Sequence, residues 1–144
     1  MQVTSVTLRA AGQTLTVNTL TPAQIGNLSD AFLARITPQA IAVLSRDQLA
    51  AFTPDAIGKI QPRAWSGLSS TQATALGTGQ LTALGTGAIA ALQARTVGAL
   101  DAAQVAALGT AQIGAIPATG IAALSPPQIA SLSASQAGAL GARQ

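Results

Sequence analysis

A large apolar residue stands at every eighth position of this chain: Leu20, Leu28, Ile36, Leu44, Phe52, Ile60, Leu68, Leu76, Leu84, Leu92, Leu100, Leu108, Ile116, Leu124, Leu132 and Leu140. Sixteen units run without insertion or deletion, and the last stops after five residues. A repeat this strict decides the architecture before any local propensity does. With that residue as position one, position six is a second apolar site. It holds Ile25, Leu33, Ile41, Leu49, Ile57, Trp65, Leu81, Ile89, Val97, Val105, Ile113, Ile121 and Ile129, with Ala73 and Ala137 as weak members. These two sets are the expected core.

A continuous α-helix cannot use this spacing. Eight residues turn a helix by about 800°, so each unit would rotate its apolar pair by about 80° and no seam would survive. The chain must restart its helix in every unit. Position two supplies the start, with Thr21, Ser29, Thr37, Ser45, Thr53, Ser69, Ser125, Ser133 and Asp101, or glycine at 77, 85, 109 and 141. These residue types cap helix N-termini. Five of the seven prolines (Pro22, Pro38, Pro54, Pro62, Pro126) fall at position three, the first helical residue, where a missing N–H costs nothing. Position five is glutamine in nine units, including Gln24, Gln48, Gln72, Gln104 and Gln128, the second half of a capping box. Positions one and six then form a hydrophobic staple.

Each helix has room for about five to seven residues, which is unstable in isolation. The expected fold is therefore an all-α solenoid of very short stacked helices, one per octad, with a β-solenoid as the alternative. Alanine and glutamine are weak strand formers and argue against that alternative. Position seven is Gly, Ala, Ser or Thr in all fifteen complete units, which predicts close backbone approach between neighbouring helices or coils. Pro22, Pro38 and Pro54 recur at sixteen residues, which points to two octads per coil, with three as the alternative.

Residues 1–19 read differently. Val6 and Leu8, then Leu15 and Val17, alternate with polar neighbours around Gly12. This predicts a small N-terminal β-hairpin, either capping the solenoid or pairing with another subunit. The chain thus divides into residues 1–19, a hairpin cap or assembly segment, and residues 20–144, the octad array. The final LGARQ is an octad cut short, so either the array is expected to continue or that end is expected to be covered by another subunit. Candidate assembly contacts are Val6, Leu8, Leu15, Val17 and Leu140.

Chemistry is sparse. There is no His or Cys, and the acids are Asp30, Asp47, Asp55 and Asp101. Asp101 occupies a cap position, and Asp47 and Asp55 lie one octad apart on a solvated face. No catalytic residue, cofactor or metal site is expected, so the chain does not read as an enzyme. Only 8% of residues are charged, and a net charge of +3 spread along the chain is a poor footprint for nucleic acid. Residues 64–94 and 102–142 carry no charge, yet recurrent Gln, Thr, Ser, Gly and Pro argue against a membrane span. The polar N-terminus is not a secretory signal. LGTGQLTALGTG lacks the G-K-[ST] of a phosphate loop, and its glycines follow the octad. Trp65 replaces Ile at a core position, and Phe32 stands at position five, off the core register.

LTPAQIGNLS resembles the opening of the TAL-effector repeat, but that family repeats at a much longer period and carries a base-reading pair absent here. More broadly, units such as LDAAQVAALGTAQIGAI resemble the Ala-, Thr- and Gln-rich octapeptide arrays of bacterial exported or surface proteins, with the pattern L-[ST]-x-x-Q-[IV]-[GA]-A. That resemblance implies a spacer, stalk or filament. The expectation is a rigid rod that polymerises with itself head to tail, extracellular or at the cell surface. The alternative is a binding module whose Thr and Ser rows (Thr78, Thr86, Thr110) meet polysaccharide, another surface or ice.

Overall fold

The computed structural model describes residues 6–10 and 12–141; residues 1–5, 11 and 142–144 lie outside the description, including the first residues of the expected hairpin. The hairpin is present. Strands β1 (Thr7–Ala10) and β2 (Gln13–Thr16) pair antiparallel, with Leu8 opposite Leu15 and Arg9 opposite Thr14. The chain reverses through Gly12, whose φ of 78° lies in the left-handed region that favours glycine. A 3-10 turn, Val17–Thr19, leads into the first octad.

Every complete octad then folds as one short helix. They are α1 (Pro22–Gly26), α2 (Asp30–Leu33), α3 (Pro38–Ala42), α4 (Arg46–Ala50), α5 (Pro54–Lys59), a 3-10 segment (Pro62–Gly67), α6 (Ser70–Ala73), α7 (Thr78–Thr82), α8 (Thr86–Ala91), α9 (Ala94–Gly98), α10 (Ala102–Ala107), α11 (Thr110–Ala115), α12 (Ala118–Ala122), α13 (Pro126–Ala130) and α14 (Ala134–Gly138). The helices span four to six residues, slightly shorter than the spacing allows; position eight ends α5, α8, α10 and α11 and leaves the helix elsewhere. The caps follow the sequence. The Ser45 hydroxyl accepts from the Gln48 N–H at 3.1 Å, while the Gln48 side-chain oxygen accepts from the Ser45 N–H at 2.8 Å. Gly77 and Gly109 supply only the backbone half of the box, donating to Gln80 at 2.9 Å and Gln112 at 2.8 Å.

The Pro62–Gly67 octad is the exception. Its first turn closes through Ala64 N–H to the Gln61 carbonyl at 3.0 Å, a three-residue step. Gln61 gives no side-chain cap, but neither does Gln93, and α9 is still an α-helix. Two features set this octad apart: Trp65 in place of an aliphatic residue, and Gly67 pressed against the Pro38 backbone of α3. The indole is fully buried, and its Nε1 has no hydrogen-bond partner.

The coil contains three octads, not the two that the proline spacing suggests. Helices pack on those three octads away: α1 on α4, α2 on α5, α3 on the 3-10 segment, α5 on α7, α6 on α9, α7 on α10, α8 on α11, α9 on α12, α10 on α13 and α11 on α14. Proline placement answers to the first turn of each helix, which is a local matter, so its sixteen-residue spacing carries no information about the coil. Pro38 in fact lies against Gly67 of the 3-10 segment, where an added Cβ would overlap the Pro38 carbonyl oxygen.

Position one lies inside, buried from Leu20 to Ile116 except for half-buried Leu28. Position six is buried from Ile25 to Ile113, Leu81 and the weak member Ala73 included. A third buried position was not expected. Position five is buried at Phe32, Ala40, Gln48, Ala64, Gln72, Gln80, Ala88, Thr96, Gln104, Gln112, Gln128 and Gln136. Apart from Leu28, the expected core fails only at the C-terminal end of the described chain. There Ile121, Leu124, Leu132 and Leu140 are partly buried, and Ile129 is 44% exposed.

Candidate functional site: two unlike ends of one solenoid

The reason position five is buried also explains how coils are joined. Its glutamine has two working ends. The oxygen caps its own helix, and the amide nitrogen reaches back one coil. Gln48 Nε2 donates to the carbonyls of Val17 at 3.2 Å and Leu20 at 2.7 Å. Gln72 donates to Ile41 at 2.7 Å and Leu44 at 2.8 Å, and Gln80 to Leu49 and Phe52, both at 2.8 Å. Gln104 reaches Ala73 and Leu76, and Gln112 reaches Leu81 and Leu84. Gln128 bonds Leu100, and Gln136 bonds Leu108 at 2.6 Å. Thr96 takes the same place with its hydroxyl on Leu68 at 2.9 Å. Every rung therefore links position five to a position-one carbonyl 28 residues earlier.

The faces of an octad now have directions. Positions four and five look back: a Cβ on Gly87 would lie 3.2 Å from Pro62 of the preceding coil. Positions six and seven look forward. A Cβ on Gly98 would lie 2.8 Å from the Ala123 carbonyl oxygen, and one on Gly114 would lie 3.3 Å from that of Ala139. The small residues of position seven are thus where the next coil's backbone passes, as the sequence led one to expect.

At the N-terminal end the backward face is mostly covered. The hairpin turns Leu8, Ala10 and Val17 into the same buried cluster as the solenoid core, and β1 packs on α2. The Val17 N–H donates to the Val6 carbonyl at 2.7 Å, and the Val6 N–H donates to Asn18 Oδ1 at 3.0 Å. Phe32 now has its account. It occupies the backward-looking position of the first coil, where β1 stands in place of a preceding coil, and an apolar ring suits that neighbour better than an amide. Of the five candidate assembly contacts, Leu8 and Val17 are buried within their own chain; Val6, Leu15 and Leu140 are half-buried. Beside the hairpin a cleft remains, lined by Gln13, Leu15, Ala23, Gln24, Asn27 and Leu28. Gln24 keeps its cap bond from the Thr21 N–H at 2.8 Å, but it is exposed and its amide has no earlier coil to bond.

Toward the other end, among the described residues, no further coil lies on the forward faces of α13 and α14. Among the described residues the carbonyls of Leu124 and Leu132, position-one groups like those that receive glutamine elsewhere, accept no hydrogen bond. Ile129 projects beside them.

Of the charged groups, Asp101 caps a helix, and Asp30, Asp55 and Lys59 pair on the surface. Asp47 and Asp55 fall on helices α4 and α5, which are not stacked on each other. The acids that do face one another across coils are Asp30 and Asp55, bridged by Lys59 at 2.9 and 3.1 Å. The Lys59 ammonium donates to Asp30 first and Asp55 second, which raises it above its ordinary pKa, on an exposed surface where such pairs add little stability. Asp101 caps α10, accepting from the Gln104 N–H at 2.7 Å. Among the described residues no group of three potential metal ligands occurs, and no helix is long and apolar enough to cross a membrane. Thr86 and Thr110 lie on stacked helices α8 and α11, whereas Thr78 lies on α7, a neighbouring face. No protein-family model, curated protein or solved structure matches the chain.

Proposed function

We propose that this chain is a structural protein: a rigid rod of stacked octad coils that joins copies head to tail, as a bacterial extracellular filament or cell-surface stalk. The observation that carries this reading is the rung between coils, in which a position-five side chain donates to a position-one carbonyl 28 residues earlier. The two faces of a coil are therefore unlike, one donating and one accepting, so a donor face of one copy complements an acceptor face of the next. A heterologous contact that does not close on itself generates an open fibre. The uncharged stretch from 102 to 142 puts little repulsion between neighbouring copies. The octad's resemblance to exported bacterial arrays supports the extracellular placement.

Sedimentation velocity over a concentration series tests this reading. The parent chain should shift progressively to larger species as concentration rises. Ile129→Lys, which places a charge on the open face, should remain monomeric at the same concentrations. A parent chain that stays monomeric throughout would refute end-to-end assembly.

A further inference from the structure

We propose that the cleft where α3 of the first coil meets the Pro62–Gly67 segment of the second binds a doubly charged tetrahedral oxyanion, a phosphate or sulfate group. The site lies between two stacked coils, so it does not depend on end-to-end assembly.

The cleft is lined by Arg35, Thr37, Gln39, Gln61 and Arg63 over an apolar floor that includes Ile36 and Pro38, and no acid lines it. Both arginines break the repeat. Position eight is alanine in every octad from Ala75 to Ala123, and at position four only Arg63 and Arg95 are basic. Lys59, the position-eight cation one coil beyond Arg35, is committed to Asp30 and Asp55. Among the described residues Arg35 and Arg63 pair with no acid. Gln61 aims the second of them. It stands at position two, where most octads carry a cap, yet it gives its own helix no side-chain cap. Its Oε1 accepts instead from Arg63 Nε at 3.0 Å. That bond takes only the Nε–H and leaves the two terminal nitrogens of the guanidinium, the pair that grips two oxygens of one oxyanion. Thr37 Oγ1 accepts from the Ala40 N–H at 3.1 Å, so its hydroxyl proton remains to be donated. A cleft lined by one sign of charge over apolar walls concentrates counter-ions. A group with two negative charges offsets both guanidiniums, whereas a carboxylate offsets one.

Nuclear magnetic resonance titration at constant ionic strength tests this, at about pH 8, where a phosphate monoester is doubly charged. Inorganic phosphate and inorganic sulfate should each move the Nε–H signals of Arg35 and Arg63 along one saturable curve and leave those of Arg46 and Arg95 in place. Acetate should not. Tighter binding of glucose 6-phosphate than of inorganic phosphate supports the site and identifies an ester as its ligand; equal binding supports it and identifies the free ion. Arg35→Gln and Arg63→Gln should each weaken binding by about tenfold or more. All three substituted arginines are exposed, so melts should match the parent. Arg46→Gln removes the same charge outside the cleft and should leave binding unchanged. Gln61→Ala keeps both charges and should still weaken binding, which a diffuse positive surface would not show. The inference is overturned if no saturable shift occurs, if all four arginine signals move together, if acetate matches phosphate, or if Arg46→Gln costs as much as Arg63→Gln.

Discussion

Gln112 holds two parts of the chain at once. Its oxygen caps α11 through the Gly109 N–H, and its nitrogen bonds the Leu81 and Leu84 carbonyls of the coil before, at 2.8 and 2.7 Å. Gln112→Ala strips both, leaving the Leu84 carbonyl without its donor while Leu81 keeps the Leu84 N–H, and should cost about 2–3 kcal/mol in urea unfolding. Gln112→Glu keeps the cap but turns a carboxylate toward two carbonyls. The folded state then raises that carboxyl's pKa, so its penalty should be larger than that of alanine at neutral pH and should ease as acid protonates it. A Gln112→Glu variant no weaker than Gln112→Ala at pH 7 would show that the amide is not the donor. Glycines at position seven separate by their distance to the next coil. A Cβ at Gly98 meets the Ala123 carbonyl at 2.8 Å, so Gly98→Ala should cost more than about 2 kcal/mol. At Gly58 the nearest atom is 3.9 Å away, so Gly58→Ala should gain about 0.5–1 kcal/mol from helix propensity alone. Chemical denaturation of the pair tests the direction assigned to position seven.

At the scale of the element, the octad carries a complete helix start, and that is why the sequence is so informative there. Caps, boxes and staples act within eight residues, so they can be read without knowing the fold. Ser69→Ala should remove a cap hydrogen bonded at 3.1 Å and cost about 1 kcal/mol in thermal or urea melts. Leu84→Asp should be far worse, since Leu84 is only 3% exposed, while Thr82→Ser at an exposed site should be mild. Equal melts for those two would place the wrong face inside. What could not be read was the second end of each glutamine. A capping box accounts for its oxygen and gives no hint that the amide reaches a coil 28 residues back. Position five alone did carry a clue, because Phe32 and several alanines share it with the glutamines, a mixture that suits a buried site better than a solvated one.

For the whole molecule, the coil size was hidden because all octads look alike. Any whole number of them could close a turn, and only contacts between distant helices fix that number at three. The ends were hidden for a related reason. A repeat specifies how a coil meets the next coil, and the hairpin departs from the repeat at the place where coil meets nothing. Its apolar alternation could equally serve as cap or as assembly edge, and the burial of Leu8 and Val17 shows where that face goes. Bulk shifts along the solenoid as well. Phe32, Phe52 and Trp65 fill the first two coils, and glutamine rungs become denser beyond Gln72. The early coils are thus held by large side chains and the later ones by amides. The most direct test of the structural role is negative-stain microscopy of the parent chain across a concentration series. Head-to-tail joining predicts unbranched filaments of constant width that lengthen as concentration rises. A field of separate monomers at the highest concentration would contradict it.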